Sequence, residues 1–581
     1  MSEATTQTRT GAPAWGWPLF ISAAAIAVYL GTITHGFVFD DGITIVNNPY
    51  IQSLDVARIF ALPEGTRAGL HQLYRPLLNV TLAFNYALTA LQPWSYHVFN
   101  ILLHGLVSVL VFFVAREWRL SAGAALAGAL LFAVHPIHVE VVANITGRKD
   151  ALTAAFALAM AALHPRARRL GGVWIVAPVA CFLGAMFSKE NGVAAVGLVA
   201  LQDLLLRHED GGEKTNWRRL LLINSGYAGA LIAFVLARSA VVGAGVGLTG
   251  VSFFDNPLMR AQTDTRLMTA VAVIGKGLAL QLWPVGQSPD YSFNAIPLVS
   301  SAGDPRFLAT VAVIAAVGAL ATAALRRGCA VPALAAGWYF AALLPTANLL
   351  FPVGTIFGER LLYLPSVGFC LFAGWGIGVI VSARRGAALV AVTGTCAALL
   401  AVQTVRYAAA WRSDFALIEV GVRHAPDSAK VHYKLGQLLL AAGRRDEALR
   451  EVQRAAEIAP DHEYTVYGLA SMLRELNRLD EAREAWLRVL RIRPDHAPAL
   501  SDLGTYYSVK GNPDRAIAYL ERAAAADPGL AVSWFNLGLL YRSAGRSAEA
   551  ARALQQFIRV ADQDTWGPQI SQARALLAQP R

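Results

Sequence analysis

The chain is predicted to be all-α: a polytopic membrane domain followed by a soluble array of helical repeats. Three observations carry that prediction. Of 581 residues, 55% are hydrophobic and only 15% are charged, an apolar balance foreign to a soluble protein of this size. The apolar excess fills roughly residues 17–405, as separate runs long enough to cross hydrocarbon. The remainder, rich in Arg, Glu and Ala, repeats every 34 residues.

Residues 1–16 form a polar tail without a cleavable-signal pattern and are expected to be cytoplasmic. Spanning helices are expected near 17–35, 96–115, 121–138, 149–164, 172–188, 190–206, 218–238, 306–325, 329–349, 362–382 and 386–405, about eleven in all. A further stretch, RLMTAVAVIGKGLALQLWP (266–284), carries Lys276 and two glycines and ends at Pro284. It is expected to be re-entrant or to lie on the outer surface. The basic clusters AREWR (115–119), PRARR (165–169), NWRR (216–219), LRR (325–327) and ARR (383–385) fall at alternating turns. The positive-inside rule assigns them to the cytoplasm, which leaves the opposite turns and the C-terminal domain outside. These clusters account for much of the net charge of +11. With no Gly-rich phosphate loop, zinc spacing or aromatic–basic platform beside them, nucleic acid is not an expected partner. Cys181, Cys329, Cys370 and Cys396 lie in or beside the spans and do not report on the redox compartment.

The C-terminal period is explicit. Pro426, Pro460, Pro494 and Pro528 stand 34 residues apart, as do Gly443, Asn477, Gly511 and Gly545, and Leu435, Leu469, Leu503 and Leu537. Small residues at helix crossings and Pro after each second helix make this the tetratricopeptide signature. Four units run from about 431 to 566, and a capping helix completes the domain 431–581. A linker and an orphan helix occupy 406–430. Such stacks offer a concave surface to an extended peptide or partner protein.

The outer turns collect polar residues. The first outer loop, 36–95, opens with FDDG, where Asp40 and Asp41 are adjacent at the membrane exit. Neighbouring carboxylates beside hydrocarbon are costly unless solvated, paired or used. The loop continues through an amphipathic SLDVARIFALP and through HQLYRPLLNVTLAFNYAL, which contains Arg75 and is expected to be interfacial. Later outer turns carry His135, His138, Glu140, Arg148, Lys149 and Asp150, then Lys189 and Glu190, then Asp290, then Glu359 and Arg360. This mixture suits an anionic head group on a lipid carrier, with cations on the phosphate and a carboxylate as base. Each feature also has a plainer reading: Lys and Arg at span ends snorkel, and KE and ER pairs neutralise themselves. HPIHVE lacks a firm ligand pattern, so no metal is expected.

In order along the chain, FVFDDGITIVNNPYIQS, YRPLLNVTLAFNYAL, YHVFNILLHGLVSVLVF, LLFAVHPIHVEVVANITGRKDAL, FSKENGVAAVGLVALQDLL, DYSFNAIP and FGERLLYLPSVGFCLFAGWGI appear. With the repeats appended, the sequence resembles the transmembrane and tetratricopeptide-repeat O-mannosyltransferases across nearly its whole length. The resemblance implies a multispanning fold of the C-type (GT-C) glycosyltransferases and transfer of mannose from a lipid phosphate to protein Ser or Thr. The short repeat array and the Ala/Arg/Gly-rich composition look bacterial, which implies a polyprenyl-phosphate donor and leaves the sugar open. It further implies that Asp40 or Asp41 is the general base on the acceptor hydroxyl, with inversion at the anomeric carbon. Arg148, Lys149, Lys189 and Arg360 would take the donor phosphate, and Arg75, His135, His138, Glu140, Glu190, Asp290 and Glu359 would position sugar or acceptor. No cofactor is implied, because the lipid-linked sugar is a substrate. The expected partners are that lipid, the membrane and a protein or peptide acceptor held by the repeats. Two other functions compete: a transferase acting on envelope glycan or lipid, and a non-catalytic scaffold displaying its repeats.

Overall fold

The computed structural model describes residues 16–64, 73–206, 216–243, 252–380 and 386–578; the polar tail up to residue 15 and the ARR cluster lie outside them. Among the described residues every regular element is a helix. The chain divides into two compact units between Ala425 and Pro426.

In the first unit each expected apolar run contains a helix. They are Gly16–Ala27, Pro93–Glu117, Ala122–Ala133, Arg148–Leu170, Val176–Ser188, Ala194–Leu206, Trp217–Val242, Thr263–Leu282, Pro305–Arg326, Val331–Leu343, Ser366–Ile380 and Gly386–Ala408. Their lengths differ from expectation. Four helices among the described residues are long and apolar enough to cross a bilayer, or five if Ala122–Ala133 and Pro136–Val142, bent by 49°, form one span. The shortfall has local causes. Pro136 interrupts one run, and Lys189, extended at φ −163°, ends another. The 263–282 stretch is one uninterrupted helix, without the internal break a re-entrant hairpin would need.

Packing sorts these helices. Pro93–Glu117 is mostly covered by protein, whereas Pro305–Arg326 is almost entirely uncovered although apolar all round. An uncovered apolar helix is what lipid contact calls for. Inside the unit, Trp118 and Trp338 meet edge to face at 5.5 Å. At Gly374 a Cβ would lie 2.5 Å from the Ala124 carbonyl oxygen, so only glycine lets the 366–380 and 122–133 helices approach so closely. The helix Asp414–His424, expected as an orphan before the repeats, belongs to this unit. It buries Leu417 with Trp411, Tyr29 and Val38.

The second unit contains four helical hairpins: Ala429–Ala441 with Arg445–Ile458, Glu463–Glu475 with Leu479–Ile492, Ala497–Val509 with Pro513–Ala526, and Ala531–Ser543 with Ser547–Val560. Gln563–Ala578 closes it. Each hairpin turns on a left-handed residue: Gly443, Asn477, Gly511 and Gly545, with φ of 77°, 59°, 71° and 73°. Only glycine or asparagine adopts that backbone at low cost, which explains the residue types at this step of the period.

Candidate active site

The FDDG turn begins under strain. Phe39 adopts φ 61°, an uncommon backbone for a bulky residue, and its N–H donates to Asp414 Oδ1 at 2.8 Å. The Asp40 carbonyl accepts from the N–H groups of Ile43 and Thr44 at 3.2 and 3.1 Å, which starts the short turn Gly42–Val46. The two carboxylates then part. Asp41 is 1% exposed. Its Oδ2 accepts from the Val38 N–H at 3.1 Å and its Oδ1 from the Thr146 N–H at 3.0 Å. Burial pushes its pKa up to about 7, against the pull of those donors and with a smaller push from Asp40. Asp40 is partly exposed, and among the described residues its carboxylate joins no hydrogen bond or ion pair.

Asp40 borders a charged cluster assembled from five stretches of sequence. Arg75 donates through Nη1 to Glu64 Oε2 at 2.9 Å, and through Nε and Nη2 to Glu190 Oε2 at 3.1 and 2.9 Å. Lys149 Nζ lies 3.8 Å from Glu64 Oε1, and Lys189 Nζ donates to Asp150 Oδ1 at 2.6 Å. Arg360 donates its backbone N–H to Glu140 Oε2 at 2.8 Å and pairs with the same carboxylate through Nη1. The pairs form one field. Glu140 first, then Asp40 and Asp150, hold the Arg360 guanidinium more firmly protonated than usual. Burial lowers the Lys189 ammonium to about 8 although Asp150 opposes it, and Arg75, Lys149 and Arg360 lower it further. Apart from Asp40, four carboxylates balance four cations. Arg360 has the most accessible side chain of these cations, 25% against 9–12% for the others.

Other expected residues make their hydrogen bonds outside the cluster. Arg148 is fully buried. Its Nε donates to Asn100 Oδ1 at 2.7 Å, Nη1 to Asn85 Oδ1 at 2.8 Å and the Thr81 carbonyl at 3.0 Å, and Nη2 to the Tyr96 carbonyl at 3.0 Å. Those bonds commit the guanidinium to tying helices together rather than to a phosphate. His135 Nε2 donates to the Gln281 carbonyl at 2.9 Å while its Nδ1 accepts from the Ile137 N–H at 3.2 Å. His138 Nδ1 donates to the Phe132 carbonyl, and its Nε2 meets Ser366 Oγ, both at 2.8 Å. Both rings are thereby fixed within the packing. Asp290 Oδ1 caps its own turn, accepting from the Ser292 N–H at 2.8 Å. Glu359 anchors the same loop: its Oε1 accepts from the Ser288 N–H at 2.9 Å and from the Tyr291 hydroxyl at 2.7 Å, and its Oε2 accepts from Gln287 at 3.3 Å. Burial, with Glu140 nearby, pushes its carboxyl up to about 8.

Glu64 carries no role from the sequence, and Asp150 is named there among the outer-turn charges without one. Glu64 follows ALP inside the long loop, and its position there was the only available signal. Asp150 was visible beside Lys149, but its pairing with Lys189 is a product of tertiary packing.

Residues 248–318 match the family described as protein O-mannosyl-transferase TMTC, DUF1736. Tetratricopeptide-repeat families match 429–462, 462–528 and 501–565. The protein O-mannosyl-transferase TMTC4 of Homo sapiens is 32% identical, over 75% of this chain and 66% of its own length. The chain belongs to the TMTC family. The protein O-mannosyl-transferase Tmtc3 of Drosophila melanogaster is 27% identical, over 76% of this chain and 55% of its own length. The chain thus spans less than two thirds of the length of either TMTC relative. Its matched TMTC segment contains the 263–282 helix and the loop that Glu359 anchors.

Proposed function

We propose that the chain is a membrane glycosyltransferase that moves a hexose, mannose by analogy with its relatives' names, from a polyprenyl-phosphate donor to a protein Ser or Thr hydroxyl. The observation that carries this reading is the contrast within the aspartate pair. Both oxygens of Asp41 are engaged, whereas Asp40 is accessible, unbonded among the described residues, and within the field of Arg360. A general base must first be reachable by the proton it removes, so geometry favours Asp40, although burial pushes the Asp41 carboxyl up to about 7.

In the reaction, the Asp40 carboxylate takes the proton from the acceptor hydroxyl as its oxygen attacks the anomeric carbon. The new C–O bond forms as the bond to the phosphate oxygen breaks, and the centre inverts. The phosphate departs with the electron pair, and Arg360, assisted by Lys189 and Lys149, offsets its charge. Arg75, Glu64 and Glu190 hold those cations in position. The reading requires no resident metal or cofactor. It assigns about eleven apolar segments to the bilayer, the charged cluster to the extracytoplasmic face, and acceptor recruitment to the repeats.

Incubating the full chain in micelles with radiolabelled mannosyl-phosphoryl-polyprenol and exported proteins tests this. Label on Ser or Thr is the expected result. Label on glycan or lipid alone would shift the acceptor class, and no transfer to any acceptor would leave a scaffold.

A further inference from the structure

Two carboxylates in the charged cluster are each held by one oxygen only. Lys189 Nζ fixes Asp150 through Oδ1, while Asp150 Oδ2 is buried without a donor among the described residues. Arg75 fixes Glu190 through Oε2, while Glu190 Oε1 is buried without a donor from any other described residue. The side-chain oxygen of the adjacent Asn191 is a third such acceptor. The residues that carry them are neighbours. Asp150 and Glu190 both act on Arg75, and Glu190 and Asn191 share the turn Glu190–Val193. Asp150 is itself only 5% exposed, and its place in the first turn of a helix explains an acid there but not an empty oxygen.

Buried acceptors without donors cost free energy until donors arrive, so the chemistry of the missing partner can be read from theirs. A phosphate brings only acceptors and is repelled by the carboxylates. A metal ion would need more ligands, since the described residues contain no group of three His, Cys, Asp or Glu able to hold one, and the surrounding cations oppose it. A polyol brings neutral O–H donors on adjacent carbons. We infer that Asp150, Glu190 and Asn191 form the subsite for the sugar ring of the donor, accepting hydrogen bonds from its hydroxyls. This rests on the donor reading above and deepens it. The cations that orient the two carboxylates also lie beside the phosphate, so one network registers both halves of the donor head group.

The test compares mannosyl-phosphoryl-citronellol with citronellyl phosphate, titrated calorimetrically into the full chain in micelles. The unaltered protein is expected to prefer the sugar lipid. Asp150→Asn and Glu190→Gln should weaken the sugar lipid about tenfold or more, as for loss of a hydrogen bond to a charged group. They should weaken the sugar-free lipid less than the sugar lipid, because that lipid loses only the indirect hold each carboxylate has on the phosphate through Lys189 or Arg75. Equal loss of both lipids, or no change in either, overturns the subsite and leaves the donor reading standing. If the variants fold poorly, the unaltered protein decides with donors lacking single sugar hydroxyls. A loss of about tenfold for at least one deoxy donor is expected, and no loss for any of them overturns the subsite. Failure of the unaltered protein to bind either lipid overturns both readings.

Discussion

Asp40 and Asp41 share a turn and a charge but not an environment, and the difference is measurable. Asp41→Asn removes one of two acceptors and turns an amide donor toward a backbone donor, which should cost about 1–3 kcal/mol of stability. Asp40→Asn, which breaks no hydrogen bond among the described residues, should leave the melting temperature of the detergent-solubilised chain unchanged. The reverse order would exchange the two roles. Lys189 carries a second residue-scale prediction. Its ammonium is lost near pH 8, while the donor phosphodiester stays singly ionised across this range. Donor affinity should therefore weaken as pH rises from about 7 to 9, and Lys189→Arg, charged throughout, should flatten the profile. A flat profile in the unaltered protein would remove Lys189 from the phosphate. The residue types of the cluster were legible in the sequence, because charges at span ends stand out against apolar runs. Their partners were not. Arg148 is expected from TGRKD to take the donor phosphate, yet its acceptors come from Thr81, Asn85, Tyr96 and Asn100, and only the folded chain brings these to it.

At the scale of elements the period was the most informative signal, because four hairpins obey the same steric rule. Gly436, Gly504 and Gly538 occupy one register, with Ala470 at the same step. A Cβ at Gly504 would come within 2.5 Å of Leu520 Cγ. Gly504→Val should therefore overpack its hairpin and cost about 1–3 kcal/mol, read as a lowered melting temperature of the full chain. An unchanged melting temperature would mean that the crossing is loose. Hydropathy located the apolar helices of the first unit but overstated several lengths. Apolarity alone cannot register the break at Pro136 or the extended backbone at Lys189. Such interruptions occur where irregular backbone lines a polar site, and Lys189 sits in one.

For the whole molecule, the account requires the charged cluster and the repeats to be extracytoplasmic. A reporter enzyme fused after residue 420 should register on that side. A cytoplasmic signal would separate the repeats from any exported acceptor. The central claim is that Asp40 deprotonates the acceptor beside a phosphate neutralised by Arg360. Its most direct test is single-turnover transfer from mannosyl-phosphoryl-polyprenol by Asp40→Asn, alongside donor affinity. Donor affinity within about twofold of the unaltered chain and a transfer rate reduced by about 10²–10⁴-fold are expected. An Asp40→Asn chain that binds donor and transfers sugar at the unaltered rate would contradict it.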